Sequence, residues 1–453
     1  MIGTGEVLDS LGSMLREHHA AGNERFRRVQ IDSRACARGD LFVALRGERT
    51  DGQEFVHDAV ARGARGVLVR ERPEALAGDV AVFVVDDTLA ALQRLAAGRR
   101  DRRRAKVIGI TGSVGKTTTK EITAAVLAAR FPVLKNEANY NNEIGLPLTL
   151  LKLTHRHKRA VLEMGMYAQG EIRTLCEIAR PEMGVVTNIG PSHLERLGSL
   201  EAIAAAKAEL PESLPPQGFA IFNADDPLVL AMADRTRAHP LTYGTTVDAD
   251  VRGSDVAARG LDGVAFRLHW RGQSAEVKTA LPGRHIVSNA LAACAVALAD
   301  GMPFRDVAKA LAKARVPLRL QVHRGRNGCT ILDDTYNASP ASMAAALDLL
   351  AGIPGRRVAV LGDMRELGPA EREGHLAVGR RAAETADVIH TVGELGLLVA
   401  EGARESGHRN IHHHDTKEDA TAAVAADLHP DDVILLKASR AMAFETLLSA
   451  LKE

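Results

Sequence analysis

Short apolar runs alternate with stretches of helical spacing along nearly the whole chain. In the first hundred residues the runs at 41–45, 67–69 and 80–85 predict short strands of a small α/β module. A further run, Val107, Ile108 and Ile110, stops at Gly112 and is followed by helical spacing through Arg130. Strand-like pieces then recur at 133–134, 159–163, 184–188 and 219–223, each separated by helical or turn-rich segments. Strands alternating with helices predict a doubly wound parallel sheet with ligands at the carboxyl ends of its strands. Between Asp250 and Leu281 the period changes to two, with V-A-F-R-L-H-W and S-A-E-V-K-T-A-L flanking an R-G-Q turn. That predicts an antiparallel hairpin added to the sheet. An alanine-rich helix is expected over 289–299, and strands resume at 330–332, 358–361, 388–392 and 433–437.

With 453 residues the chain exceeds a single core, and the expectation is three domains at 1–103, 104–317 and 318–453. All three read as α/β, the middle one doubly wound with an antiparallel addition and the last one Rossmann-like. The basic run Arg99 to Lys106 is expected to be a solvated connection, and the region around Pro317 a boundary. A net charge of +1 leaves no electrostatic footprint for nucleic acid or an anionic membrane, so acidic ligands have to be gripped locally. No apolar run approaches the roughly 18 residues of a membrane span. The start M-I-G-T-G-E-V-L-D-S lacks the pattern of a secretory signal, and Cys36, Cys176, Cys294 and Cys329 form no C-x-x-C pair. The cytosol is the expected compartment and a monomer the expected state.

Chemistry enters at V-I-G-I-T-G-S-V-G-K-T-T-T-K, from Val107 to Lys120. Backbone N–H groups around Gly112 and Gly115 can wrap an anion, the helix N-terminus adds partial positive charge, Lys116 adds a full one, and the Thr117 hydroxyl can ligate magnesium. The generic phosphate loop needs glycine at position 110, where Ile110 stands. Glu163 closes the strand R-A-V-L-E at the same sheet edge, where a carboxylate suits magnesium. Ser33 and Arg34, in I-D-S-R, offer an anion grip, and Asn139, Asn141 and Asn142 offer uncharged partners for phosphate and sugar oxygens. On residues alone, His193 reads as a loop histidine, Lys207 as a solvated helix lysine, and His412, His413 and His414 as a surface loop.

The spelling T-G-S-V-G-K-T-T resembles the phosphate loop of the Mur ligases, ATP-dependent amide-forming ligases of bacterial cell-wall precursor synthesis. Further resemblance follows in the order that family has it, in N-I-G-P-S-H-L-E, H-I-V-S-N, P-L-R-L and D-D-T-Y-N-A-S-P. The resemblance implies ATP and two magnesium ions as cofactors, with Gly112, Ser113, Gly115, Lys116, Thr117, Thr118, His285, Asn289, Arg319 and Asp334 at the nucleotide. It also implies metal ligation by Thr117, Glu163, His193 and a carbamylated Lys207, with Lys116, Glu163, His193 and Lys207 forming the catalytic set. The first domain would hold the UDP end of the substrate. D-D-x-Y-N-A-x-P, with V-L-G-D-M-R-E-L-G from Val360, is most similar to the branch joining D-alanyl-D-alanine to UDP-N-acetylmuramoyl-tripeptide, with Tyr336, Asn337, Ser439 and Arg440 at the substrates. Two departures stand out: Ser339 replaces the usual asparagine, and Ala438 in L-L-K-A-S-R replaces a frequent glycine beside Lys437.

Alternatives within the superfamily are a diamino-acid-adding ligase and a folylpolyglutamate synthase, both disfavoured by D-D-T-Y-N-A. From another class, a GTP-dependent switch would use D-V-R-G at 250–253 and T-K-E-D at 416–419. The second lies farther from the phosphate loop than a domain of ~150 residues would place it.

Overall fold

The computed structural model describes residues 1–20, 22–76, 79–192, 194–245 and 248–453. Its strands form three large sheets in chain order, with a small antiparallel pair of Ile2–Gly3 and Arg25–Phe26 beside the first. The first sheet runs Leu15–His19, Ala81–Val85, Gly66–Val69, Leu41–Val43, Val29–Gln30, and only its Leu15–His19 edge is antiparallel. The middle sheet has nine strands, with Lys106–Thr111 flanked by Arg159–Glu163 and Met183–Val186. Its parallel part ends in three strands, Val251–Ala258, Val264–Trp270 and Gln273–Thr279, paired antiparallel to one another. The expected hairpin is the outer pair, turning at Arg271 and Gly272, whose positive φ angles of 45° and 76° match the twist of the strands. The third sheet is parallel except for its Gln321–Arg324 edge. This is the three-part α/β architecture expected.

Close packing in the middle sheet has a specific cause. Gly109 and Gly184 sit opposite each other on adjacent strands, and their missing side chains leave a notch for Leu210. A Cβ on Gly109 would lie 2.9 Å from Leu210 Cδ1, and one on Gly184 3.0 Å from Leu210 Cγ. The helix Leu200–Glu212 is thereby drawn onto the sheet, and Lys207, three residues before Leu210, goes inward with it.

The first two sheets share one continuous apolar core, which runs from Ile2 and Phe83 through Leu95 to Leu146, Leu162 and Leu210. The third sheet has cores of its own, around Leu361 on one face and Val360 on the other. The first two parts are therefore joined by a shared core, while the third adds apolar contacts at its border, Ala370 against that core and Leu261 of the middle part against the core around Leu361. No described helix is long and apolar enough to cross a membrane.

Three sequence expectations are corrected. Arg99 to Lys106 is no solvated connection: the helix Thr88–Arg103 runs through most of it, and Arg99, 2% exposed, pairs with Glu6 at 2.9 Å. The histidines 412–414 belong to the edge strand Ile411–His414, where the rings of His412 and His414 both stack on His390. Lys207 is buried at 2% exposure.

Candidate active site

The loop after Lys106–Thr111 is held open by its neighbours. Ser113 Oγ donates to Gly190 O (3.0 Å), Val114 N donates to Asn188 Oδ1 (2.8 Å), and Asn188 Nδ2 and Thr187 Oγ1 both donate to Val114 O (2.9 and 2.7 Å). Gly112, at φ +141°, is pressed so closely on this wall that a Cβ would lie 1.9 Å from Thr187 Oγ1. Gly115, at φ +86°, precedes the helix Lys116–Ala128, and a Cβ there would lie 2.5 Å from Asn289 Nδ2. Asn289, on the helix Ile286–Ala299, donates to Thr119 Oγ1 (2.9 Å) and Gly115 O (3.3 Å), so it braces the loop from behind.

At the helix start, Lys116 Nζ donates to Gly112 O (2.6 Å) and Ser113 O (3.1 Å). Burial of its ammonium lowers its pKa to about 8, partly opposed by Glu163 and reinforced by Arg319. Thr117 Oγ1 donates to Glu163 Oε2 (2.8 Å) and accepts from Arg319 Nη2 (2.8 Å). Arg319 thus reaches the loop from the third part of the chain, with its guanidinium 4.3 Å from the ring centroid of Tyr336. Thr118 is half-buried beside them.

Glu163 is fixed at both ends of its residue. Its backbone N–H and C=O bond the side chain of Asn136 (2.9 and 3.0 Å), and Asn141 Nδ2 donates to Glu163 Oε1 (2.9 Å). The Lys207 side chain makes no hydrogen bond among the described residues. Burial, with the nearby Lys116 charge, pushes its pKa well down, which favours the neutral amine. Two cationic side chains, Lys116 and Arg319, thus lie around the carboxylate of Glu163, an imbalance that suits a polyanion. The oxygens of Thr117 and Glu163 are hard donors of the kind magnesium takes.

On the third sheet, Asp334 follows the strand Thr330–Asp333 and pairs with the buried Lys437, which also donates to Asn337 O (2.9 Å). His285 is exposed to the cleft on the central side, within reach of the Asp334 and Lys437 charges. Tyr336, Asn337 and Arg440 are exposed, whereas Ser439 is buried and its Oγ accepts from Arg365 N (2.8 Å). The replaced position, Ser339, caps the helix Pro340–Ala351 through a reciprocal pair with Ser342.

Other predicted residues lie away from this cluster or carry local bonds. Arg34 is exposed and pairs with its neighbour Asp32 (2.9 and 2.8 Å), and the buried Ser33 bonds Asp58. Asn139 is exposed, and Asn142 accepts from Gly145 N (2.9 Å) at the start of the helix Gly145–Leu151. Beside Asn142 a cavity of about 250 Å3, lined by Gln93, Glu143, Gly165, Glu171 and Thr174, joins the first part to residues adjoining Glu163. His193 lies outside the described residues. The proposed switch motifs fail: Asp250 bonds Thr242 at the edge of the antiparallel strands, and Thr416 caps the helix Lys417–Ala426 in the third part. Sequence reading passed over Asn136 and Asn188; both stand just beyond strand ends, Asn136 shortly before Asn139 and Asn188 at the head of N-I-G-P-S-H-L-E, which is the signal available.

Family models for the Mur ligase family catalytic domain, the Mur ligase middle domain and the Mur ligase glutamate ligase domain match residues 25–100, 110–297 and 318–440. The chain belongs to the Mur ligase family. Among relatives, it is 40% identical to the UDP-N-acetylmuramoyl-tripeptide–D-alanyl-D-alanine ligase of Bacillus subtilis, over 94% of this chain and 93% of that one. It superposes on crystal structure I of MurF from Acinetobacter baumannii with a TM-score of 0.89 at 33% identity, covering 99% and 98% of the two chains. MurF ligase from Thermotoga maritima in complex with ADP matches with a TM-score of 0.79 at 30% identity, covering 94% and 96%.

Proposed function

We propose that this protein is an ATP-dependent ligase that joins D-alanyl-D-alanine to UDP-N-acetylmuramoyl-tripeptide, releasing ADP and phosphate, in cytoplasmic peptidoglycan precursor synthesis. The observation that carries the reading is the cluster of Lys116, Thr117, Glu163 and Arg319 at one sheet edge, in a chain similar over nearly its whole length to ligases of that name. The division into a UDP-substrate domain at 1–103, an ATP domain at 104–317 and a C-terminal domain at 318–453 belongs to the same reading. The similarity to the ADP-bound Thermotoga protein supports ATP at the phosphate loop.

The chemistry follows from charge. A peptide carboxylate has to attack the γ-phosphate of ATP, anion against anion, so the site must neutralise charge in the transition state. Lys116 and Arg319 provide fixed cations, and Thr117 and Glu163 would hold magnesium, which supplies further charge neutralisation at the phosphates. Forming the bond between carboxylate oxygen and phosphorus breaks the bond to ADP and gives an acyl phosphate. The neutral amine of D-alanyl-D-alanine then attacks the acyl carbon, phosphate leaves, and the amine proton is lost. The cavity beside Asn142 and Gly165 is suited to pass the tripeptide from the first domain toward Glu163.

A second magnesium ion needs another anionic donor, and Lys207 is the residue placed to become one. A neutral lysine amine adds carbon dioxide through its nitrogen lone pair and releases one proton to solvent, giving a carbamate that replaces a basic group by a carboxylate-like one. The lack of a side-chain hydrogen bond among the described residues and the pKa lowered by burial and the Lys116 charge support this for Lys207. His193 would complete that site by resemblance to the family.

The acyl phosphate is tested with a tripeptide substrate carrying oxygen-18 in its terminal carboxylate. One labelled oxygen is expected in each phosphate released; unlabelled phosphate would exclude this route.

A further inference from the structure

We infer that His375 is a positioning residue that clamps the segment Asp363–Ala370, and through it sets the acceptor-side loop Ser439–Arg440 and the contact between the third domain and the central one. The inference rests on the ligase reading above only for the substrate named in its kinetic arm.

His375 has no exposed surface and lies near the start of the helix Glu371–Thr385. Its Nε2 is 2.9 Å from Met364 N, and a backbone N–H can only donate, so Nε2 is the accepting nitrogen. Nδ1 therefore carries the hydrogen and donates to Glu371 O at 2.6 Å. Both ring nitrogens are committed and the neutral ring is required. Burial lowers its pKa, in keeping with that form; the nearby Asp363 and Glu371 act the other way, and Arg365 acts with burial.

The clamped segment has three further attachments. Asp363, 1% exposed, accepts from Leu395 N and Gly396 N (both 3.0 Å) at the start of the helix Gly396–Glu405, and pairs with Arg365. Ser439 N donates to Asp363 O (3.0 Å) while Arg365 N donates to Ser439 Oγ (2.8 Å), a reciprocal pair that fixes the residue before Arg440. Farther on, Gly368, at φ +51°, lies against the central domain so closely that a Cβ would sit 3.0 Å from Glu195 Cα. Met364 is the link between these contacts, and its buried N–H has His375 as partner. Without the imidazole that donor is unpaired, and the segment has to shift to satisfy it.

The test compares wild type with His375→Ala, His375→Gln and Gly368→Ala by amide hydrogen exchange and steady-state kinetics. In His375→Ala, exchange over 363–370 should accelerate while the helix Lys116–Ala128 is unchanged. The KM for D-alanyl-D-alanine should rise about tenfold with the KM for ATP within about twofold. His375→Gln, whose amide oxygen can accept from Met364 N–H, should recover part of both. Gly368→Ala should loosen the domain contact and lower kcat without changing exchange at Met364. Wild-type exchange over 363–370 in both His375 variants, or equal rises in the two KM values, would overturn the inference. Should His375→Ala fail to fold, His375→Gln decides it by the same readings. Absence of turnover in the wild type would contradict the ligase reading instead, and the exchange arm still decides the clamp.

Discussion

Lys116→Ala is expected to lower turnover by about two to three orders of magnitude, on the order of 3 kcal/mol or more of lost transition-state stabilisation. The ammonium sits between the carbonyls of Gly112 and Ser113, held beside Thr117 and Glu163. Among the described residues its opposing charge close by is Glu163, so the cation is arranged for phosphate oxygens. The lysine is half-buried, its ammonium within the loop and outside the apolar cores, and the change should leave the thermal transition close to that of wild type. Steady-state ATP hydrolysis coupled to amide formation, with a parallel unfolding curve, checks this. Activity within about tenfold of wild type would count against the loop as the catalytic phosphate site.

The second large effect is expected at Lys207. If the residue works as a carbamate, Lys207→Ala removes an anionic metal partner and the rate should fall on the order of 100-fold or more, since charge stabilisation by a metal is worth several kcal/mol. Acetate or propionate should restore part of the rate by occupying the vacated volume. Lys207→Met keeps the buried stem without the amine, so it separates packing from chemistry; it should be as inactive as the alanine variant without added acid. Near-wild-type turnover of either variant in plain buffer would refute the carbamate.

The fold was readable in the sequence where both faces of a strand are apolar. Val107, Ile108 and Ile110, and likewise Val388 to Val392, are buried on both sides and announce themselves as parallel strands. Edge strands were not: Leu15–His19 and Ile411–His414 carry polar, partly exposed side chains, and only pairing with a neighbouring strand defines them. The phosphate loop was readable because local glycines and a helix start make it. Burial of Lys207 was not, because it depends on the notch at Gly109 and Gly184, strands far from the lysine in sequence. Arg99 was misread for a similar reason, since its partner Glu6 comes from the opposite end of the first domain. Asn142 shows a further limit: a side chain that sequence assigns to a ligand also has a local use, here as acceptor for Gly145 N–H at the start of a helix.

The central claim is tested most directly by supplying purified protein with ATP, magnesium, UDP-N-acetylmuramoyl-tripeptide and D-alanyl-D-alanine, and weighing the products by mass spectrometry. The account predicts a UDP-N-acetylmuramoyl-pentapeptide, with ADP and phosphate formed in equal amounts. Unchanged tripeptide, or product formed with a single diamino acid in place of the dipeptide, would contradict it.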